Sequence, residues 1–147
     1  MKKVSLVIAS LTIALCSCAQ NINPSQAPAV VVNAFQQQYP KATDVEWEKK
    51  GANYEVEFEV GVADKDHTML IDPSGKIISH KQDIYKSELP TAVLNALSKE
   101  FPDYKTDDVE KIEAAGVTTY KMEVKKKPEE WKVLFDAEGK LLEKITD

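Results

Sequence analysis

The chain contains no arginine: all 19 of its basic residues are lysines, set against 24 Asp and Glu for a formal net charge of −5. Nucleic-acid readers show a basic face and use the guanidinium fork for bidentate contacts, so an acidic, lysine-only chain excludes that class of partner. Cysteine is almost as scarce. Its two copies, Cys16 and Cys18, both fall within the first 18 residues. The remainder can hold no disulfide, thiol nucleophile or thiolate metal site. Histidine occurs only as His67 and His80, distant in sequence, where a zinc site needs three or four ligands. No serine carries a His-Asp pattern suggesting a nucleophile. No catalytic residue, metal or cofactor is therefore expected, and the chain does not read as an enzyme.

The one long apolar run lies at the N-terminus. Met1-Lys2-Lys3 is a positive leader, and Val4–Leu15 is an apolar stretch of signal-peptide length, too short to span a bilayer. Leu15-Cys16-Ser17-Cys18 matches a bacterial lipobox, which makes Cys18 the candidate lipidated residue. The alternative is ordinary cleavage after Ala19. Both send the protein out of the cytoplasm, to the periplasm or to an envelope membrane held by the lipid on Cys18. Residues 19–147 number 129 (147 − 18 = 129), one domain by length, with a net charge of 17 − 24 = −7. Residues 19–27 are polar and read as a tether.

From Pro28 onward a single pattern occurs twice. Val31, Val32, Phe35 and Tyr39 make one helical stripe, with Ser25 as candidate N-cap, Pro28 in the first turn and Pro40 as stop. Asp44–Glu48 and Tyr54–Val60 alternate with period 2 around Lys50-Gly-Ala-Asn53, a hairpin. Thr68–Asp72 and Lys76–Ile84 are two further strands around the turn Asp72-Pro-Ser-Gly-Lys76. At an offset of 62, Ser87-Glu-Leu-Pro90 repeats Ser25-Gln-Ala-Pro28, and Tyr39-Pro40 returns as Phe101-Pro102. The offset becomes 66 at Tyr54/Tyr120 and 64 at Leu70/Leu134. The expected fold is α+β: repeat 1 (28–86) and repeat 2 (87–147), each a helix and four antiparallel strands, some eight strands with the helices on one face.

Ser-x-x-Pro-x-x-Val-x-Asn-Ala, Tyr/Phe-Pro, Asp-Val-Glu-Trp-Glu, Asn-Tyr-Glu-Val-Glu-Phe and the Asp-x-x-Gly-Lys turn together resemble the beta-lactamase-inhibitor-like, PepSY-like family of secreted and envelope proteins. The resemblance covers residues 28–147 and implies the tandem fold, secretion and a binding or inhibitory role. It brings no catalytic residues.

Strand parity separates two faces. With Val45, Trp47, Tyr54, Val56, Phe58 and Val60 toward the helix, Asp44, Glu46, Glu48, Glu55, Glu57 and Glu59 line the other side. The hairpin register puts Glu48 opposite Glu55 and Glu46 opposite Glu57, like-charge pairs costing roughly 0.2–1 kcal/mol each. This is an acidic patch for a basic partner or hard cation, or else a solvated sheet face. The second copy carries Lys121, Glu123 and Lys125 there, so the two halves would differ in sign. Leu70 and Leu134 break the alternation and should reach the charged side, either as a binding cluster or as buried core. Trp47, Trp131, Tyr54, Tyr120, Tyr39 and Phe101 read as core, and Lys125–Lys127 as a solvated loop. The expected function is a non-catalytic binding or inhibitor-like module using its open sheet face, with an envelope peptidase or other protein as partner. The alternative is a structural or sensory envelope lipoprotein.

Overall fold

The computed structural model describes residues 20–61 and 65–146. The expected signal segment and the lipidation at Cys18 lie outside the described residues. Within them the chain forms β1 (Gln20–Asn21), α1 (Ala29–Gln38), β2 (Thr43–Lys50), β3 (Asn53–Val60), β4 (Lys65–Ile71), β5 (Ile77–Asp83), α2 (Thr91–Glu100), β6 (Lys105–Ala114), β7 (Val117–Lys126), β8 (Glu129–Asp136) and β9 (Leu141–Thr146). The strands form a single antiparallel sheet in chain order, β1 to β9. No helix among the described residues is long and apolar enough to cross a membrane.

Each helix buries the stripe its spacing predicts. Val31 and Phe35 of α1 cluster with Trp47, Tyr54, Val56, Phe58, Met69 and Ile71. Val93 and Leu97 of α2 cluster with Phe101, Tyr120, Met122, Val124, Val133 and Phe135. Full burial of side chains this size stabilises by about 1.5–3 kcal/mol each, before chain entropy is set against it. Cross-strand partners project to the same side of a sheet. The pairs Met69–His80, His80–Glu113, Gln82–Lys111, Lys111–Tyr120 and Tyr120–Phe135 therefore carry one side from the first cluster to the second.

The structure corrects the sequence reading in several places. The described residues contain nine strands rather than eight, because Gln20–Asn21 pairs with Glu48–Lys49 at the sheet edge. Residues 20–27 are thus not a free tether: Ile22 packs on the first core and Ala27 is buried in it. Ser25 does not cap α1, since it lies in a 3₁₀ turn, Pro24–Gln26, and its hydroxyl donates to Asn23 Oδ1 at 2.9 Å. That turn is closed by Asn23 N–H donating to Gln26 Oε1 at 2.7 Å, and the second copy matches it with Tyr85 N–H on Glu88 Oε2 at 2.7 Å. Val45 is 37% exposed rather than covered by the helix. A bulge between Thr43 and Glu46, with Asp44 at φ 46°, displaces it. Finally, the shift of offset from 62 to 66 lengthens a hairpin: β6 and β7 have ten residues each, β2 and β3 eight. The extra length brings Glu113 and Ala114 opposite His80 and Ser79, which joins the two copies.

Candidate functional site

The side of the sheet opposite Met69 and Phe135 is charged, and its register resolves into rows. One row reads Glu48–Glu55–Leu70–Ser79–Ala114–Val117, and the next Glu46–Glu57–Thr68–Lys81–Ile112–Thr119–Asp136. A third contains Glu59–Asp66 and Asp83–Glu110–Lys121–Leu134–Glu143. The hairpin is tighter than expected, with Lys50 opposite Asn53, yet the facing Glu46/Glu57 and Glu48/Glu55 pairs stand as the alternation requires.

Asp44, Glu46, Glu57, Glu59, Asp66, Asp83 and Glu110, together with Lys81 and Thr68, line a shallow depression of about 440 Å³. Burial and then the Asp66, Glu110 and Asp108 charges raise the Asp83 carboxyl above its ordinary value. Asp66, Asp83, Glu110 and Lys81 escape a reading that applies period 2 to β2 and β3 only. The same parity, run through Asp66-Thr68-Leu70 and Ser79-Lys81-Asp83, marks them. Glu48 and Glu55 lie outside the depression, where Lys50 Nζ bridges them at 2.6 and 3.2 Å.

The second copy is not a basic counterpart. Lys121 pairs with Glu110 at 3.1 Å, and Lys125 with Glu123 at 2.6 Å. The halves therefore differ as acidic against balanced rather than in sign. Leu70 and Leu134 do point to the charged side, each half-buried. Leu70 sits between Glu55 and Ser79, and Leu134 between Lys121 and Glu143. β4 and β8 are four strand spacings apart, roughly 19 Å, so the two leucines form no common apolar cluster.

On the other side, the two histidines separated in sequence meet. His67 Nδ1 lies 3.0 Å from His80 Nε2, and Tyr39 Oη lies 3.3 Å from the same nitrogen. The imidazoles are nearly parallel (14°) with centroids 5.2 Å apart, a spacing that sets them end to end along a shared N–H···N bond. Phe58 stacks on His67 with centroids 5.0 Å apart. Glu113 Oε2 stands 3.7 Å from His80 Nδ1. Among the described residues, no three His, Cys, Asp or Glu converge as a metal site. Strand pairing brings the histidines together: His67 on β4 and His80 on β5 lie diagonally across one ladder.

The sequence model described as "Putative beta-lactamase-inhibitor-like, PepSY-like" matches the chain twice, over residues 16–79 and 76–143. Among solved structures, a "putative periplasmic" protein of Bacteroides eggerthii superimposes with a TM-score of 0.72 at 24% identity, covering 82% of this chain and 88% of that one. A DUF2874 family protein of Bacteroides uniformis gives a TM-score of 0.72 at 22% identity, with coverage of 82% and 89%. A BLIP-like protein of Bacteroides fragilis gives 0.69 at 22%, with coverage of 82% and 86%. These likenesses establish the fold. No curated protein matches the chain at comparable significance.

Proposed function

The chain belongs to the beta-lactamase-inhibitor-like, PepSY-like family, and from that premise we propose that it is a non-catalytic binding module of the cell envelope. In this reading both helices cover one face of the sheet, each over its own four strands, and the other face engages a protein partner through its acidic half. The observation that carries the reading is the depression between β2 and β6. Among the described residues, Glu46, Glu57 and Asp66 have no ion-pair partner there, while Lys121 and Lys125 of the second copy are already matched. A surface that keeps like charges facing one another at a cost to stability suits a partner that supplies lysine or arginine. The signal-type leader and the periplasmic description attached to the Bacteroides eggerthii protein support an envelope address. The BLIP-like description of another relative supports inhibition of an envelope enzyme as the form the binding takes.

Affinity capture from envelope extract tests this reading with the intact protein, Glu57→Lys/Asp66→Lys, Leu70→Lys and Leu134→Lys. Loss of one stoichiometric protein in the double variant and in Leu70→Lys, with thermal stability undiminished, supports the acidic half as the interface. Capture that is indifferent to all three sets contradicts it.

A further inference from the structure

We propose that His67 and His80 form a proton-operated latch at the seam between the two repeats, closed with at most one proton on the pair and opened by a second. The geometry of the pair carries this. With no added proton, one imidazole donates to the other across 3.0 Å. With one, His80 can donate from Nε2 to His67 and present Nδ1–H to Glu113, so the charge has an acceptor on one side and a carboxylate on the other. With two protons, both facing nitrogens carry hydrogen and the N–H···N bond becomes a repulsion. His67 is 6% exposed and walled by Phe58 and Tyr39, so the second charge has no solvent to relax into.

The seam position follows from the register. His80 pairs with Met69 on one side and Glu113 on the other, so it belongs to the first core and touches the second copy through β6. The charged groups acting on the pair are Lys65 and Asp66 from β4, Glu113 and Lys111 from β6, and the Tyr39 phenol at the end of α1. Burial, then the His80 and Lys65 charges, lowers His67 to about 4. Burial lowers His80 too, with Glu113 opposing. Both folded values lie below the ordinary 6.5 or so, so the unfolded chain binds more protons in between. The stability the pair contributes is complete above about 6.5 and is lost as the pH falls toward 4.

The second copy carries no such device. At the offset of 64, Trp131 and Lys144 replace the histidines, with Lys144 Nζ 4.0 Å above the Trp131 ring. Acidification should therefore loosen β4 and β5 before β7 and β8.

Ring-proton NMR of the full exported domain tests the latch directly, because the chain has only two histidines. Both signals are expected to titrate below 6.5 and in a coupled manner. Glu113→Gln, which removes a half-exposed carboxylate, should lower the His80 midpoint, and His67→Gln should turn the His80 curve into a single step at higher pH. Amide exchange at about pH 4.5 should accelerate several-fold in β4 and β5 relative to β7 and β8. Two independent titrations near 6.5, or β5 amides as protected at pH 4.5 as those of β8, overturn the proposal. If His67→Gln fails to fold, the Glu113→Gln shift and the exchange contrast in the unaltered protein decide it.

Discussion

The two repeats bury their helices in the same way and use their polar residues differently. Val31 and Val93, Met69 and Val133, and Ile71 and Phe135 occupy matching buried positions. The site at each helix C-terminal end diverges. In the first copy Tyr39, Phe58, His67 and His80 stack into a titratable cluster. In the second, Phe101 and Trp131 receive the Lys144 ammonium, 5.3 and 4.0 Å from the ring centroids. The difference follows position in the sheet. β5 lies between β4 and β6, so His80 is enclosed from both sides. β9 is the edge, so the Lys144 stem can lie over the rings while its charge stays in water. A duplicated fold holds its apolar pattern under packing constraint and frees its polar positions for separate uses.

The largest expected effect tests the shared part. Ile71→Ala and Phe135→Ala remove fully buried side chains at equivalent sites and should cost about 2–5 and 3–5 kcal/mol respectively in urea unfolding. A cost below about 1 kcal/mol at either site breaks the equivalence of the cores.

The tight turns come next. Gly75 and Gly139 both have positive φ (86° and 84°). A Cβ on Gly139 would lie 2.5 Å from Ala92 O, a backbone atom, whereas one on Gly75 would lie 2.9 Å from Val30 Cγ2 and 3.0 Å from Val30 O, a milder clash. Both alanine variants should lower Tm, Gly139→Ala by more, with the first costing at least about 1 kcal/mol. Equal or reversed losses would show that the α2 approach to its turn is looser than that of α1.

Lys144→Ala should cost about 0.5–1 kcal/mol through lost cation–π contact and leave the His67 and His80 titrations unmoved. The smallest effect concerns the charged face. Glu57→Lys relieves its pairing with Glu46 and should stabilise by about 0.2–1 kcal/mol, whereas Lys121→Glu faces Glu110 and should destabilise by a similar amount. Both effects should shrink in high salt. The same sign for the two would erase the contrast between an acidic and a balanced half.

Much of the fold was legible in the sequence, and for particular reasons. Glu-x-Glu alternation against Tyr54, Val56 and Phe58 set the parity of β3, and the Gly51 turn set its register with β2. The repeat itself came from turns and prolines that few residues can replace. The rest was hidden where structure depends on pairs distant in the chain. The meeting of His67 with His80 needs the β4–β5 register, shifted by a bulge between Leu70 and Ile71. Their contact with Glu113 needs β5 beside β6, a join between copies that no local pattern announces. Strand β1 is two residues long, too short to carry any periodicity. The charge balance of the second copy depended on ion pairs across strands, such as Lys121 with Glu110, which composition along one strand does not show.

The continuity of the sheet is what lets two copies share a seam and present one charged face, and it can be measured with the chain's own reporters. Trp47 lies in the first copy and Trp131 in the second, and the sequence contains no other tryptophan. Urea unfolding is followed by fluorescence in Trp131→Phe, which reports on Trp47, and in Trp47→Phe, which reports on Trp131. Each is compared with far-UV circular dichroism of the same variant. At neutral pH the fluorescence and dichroism midpoints should coincide within each variant, as one cooperative unit requires. A fluorescence transition displaced from the dichroism transition, earlier for one tryptophan and later for the other, would mean two independently folding halves and would contradict a shared seam.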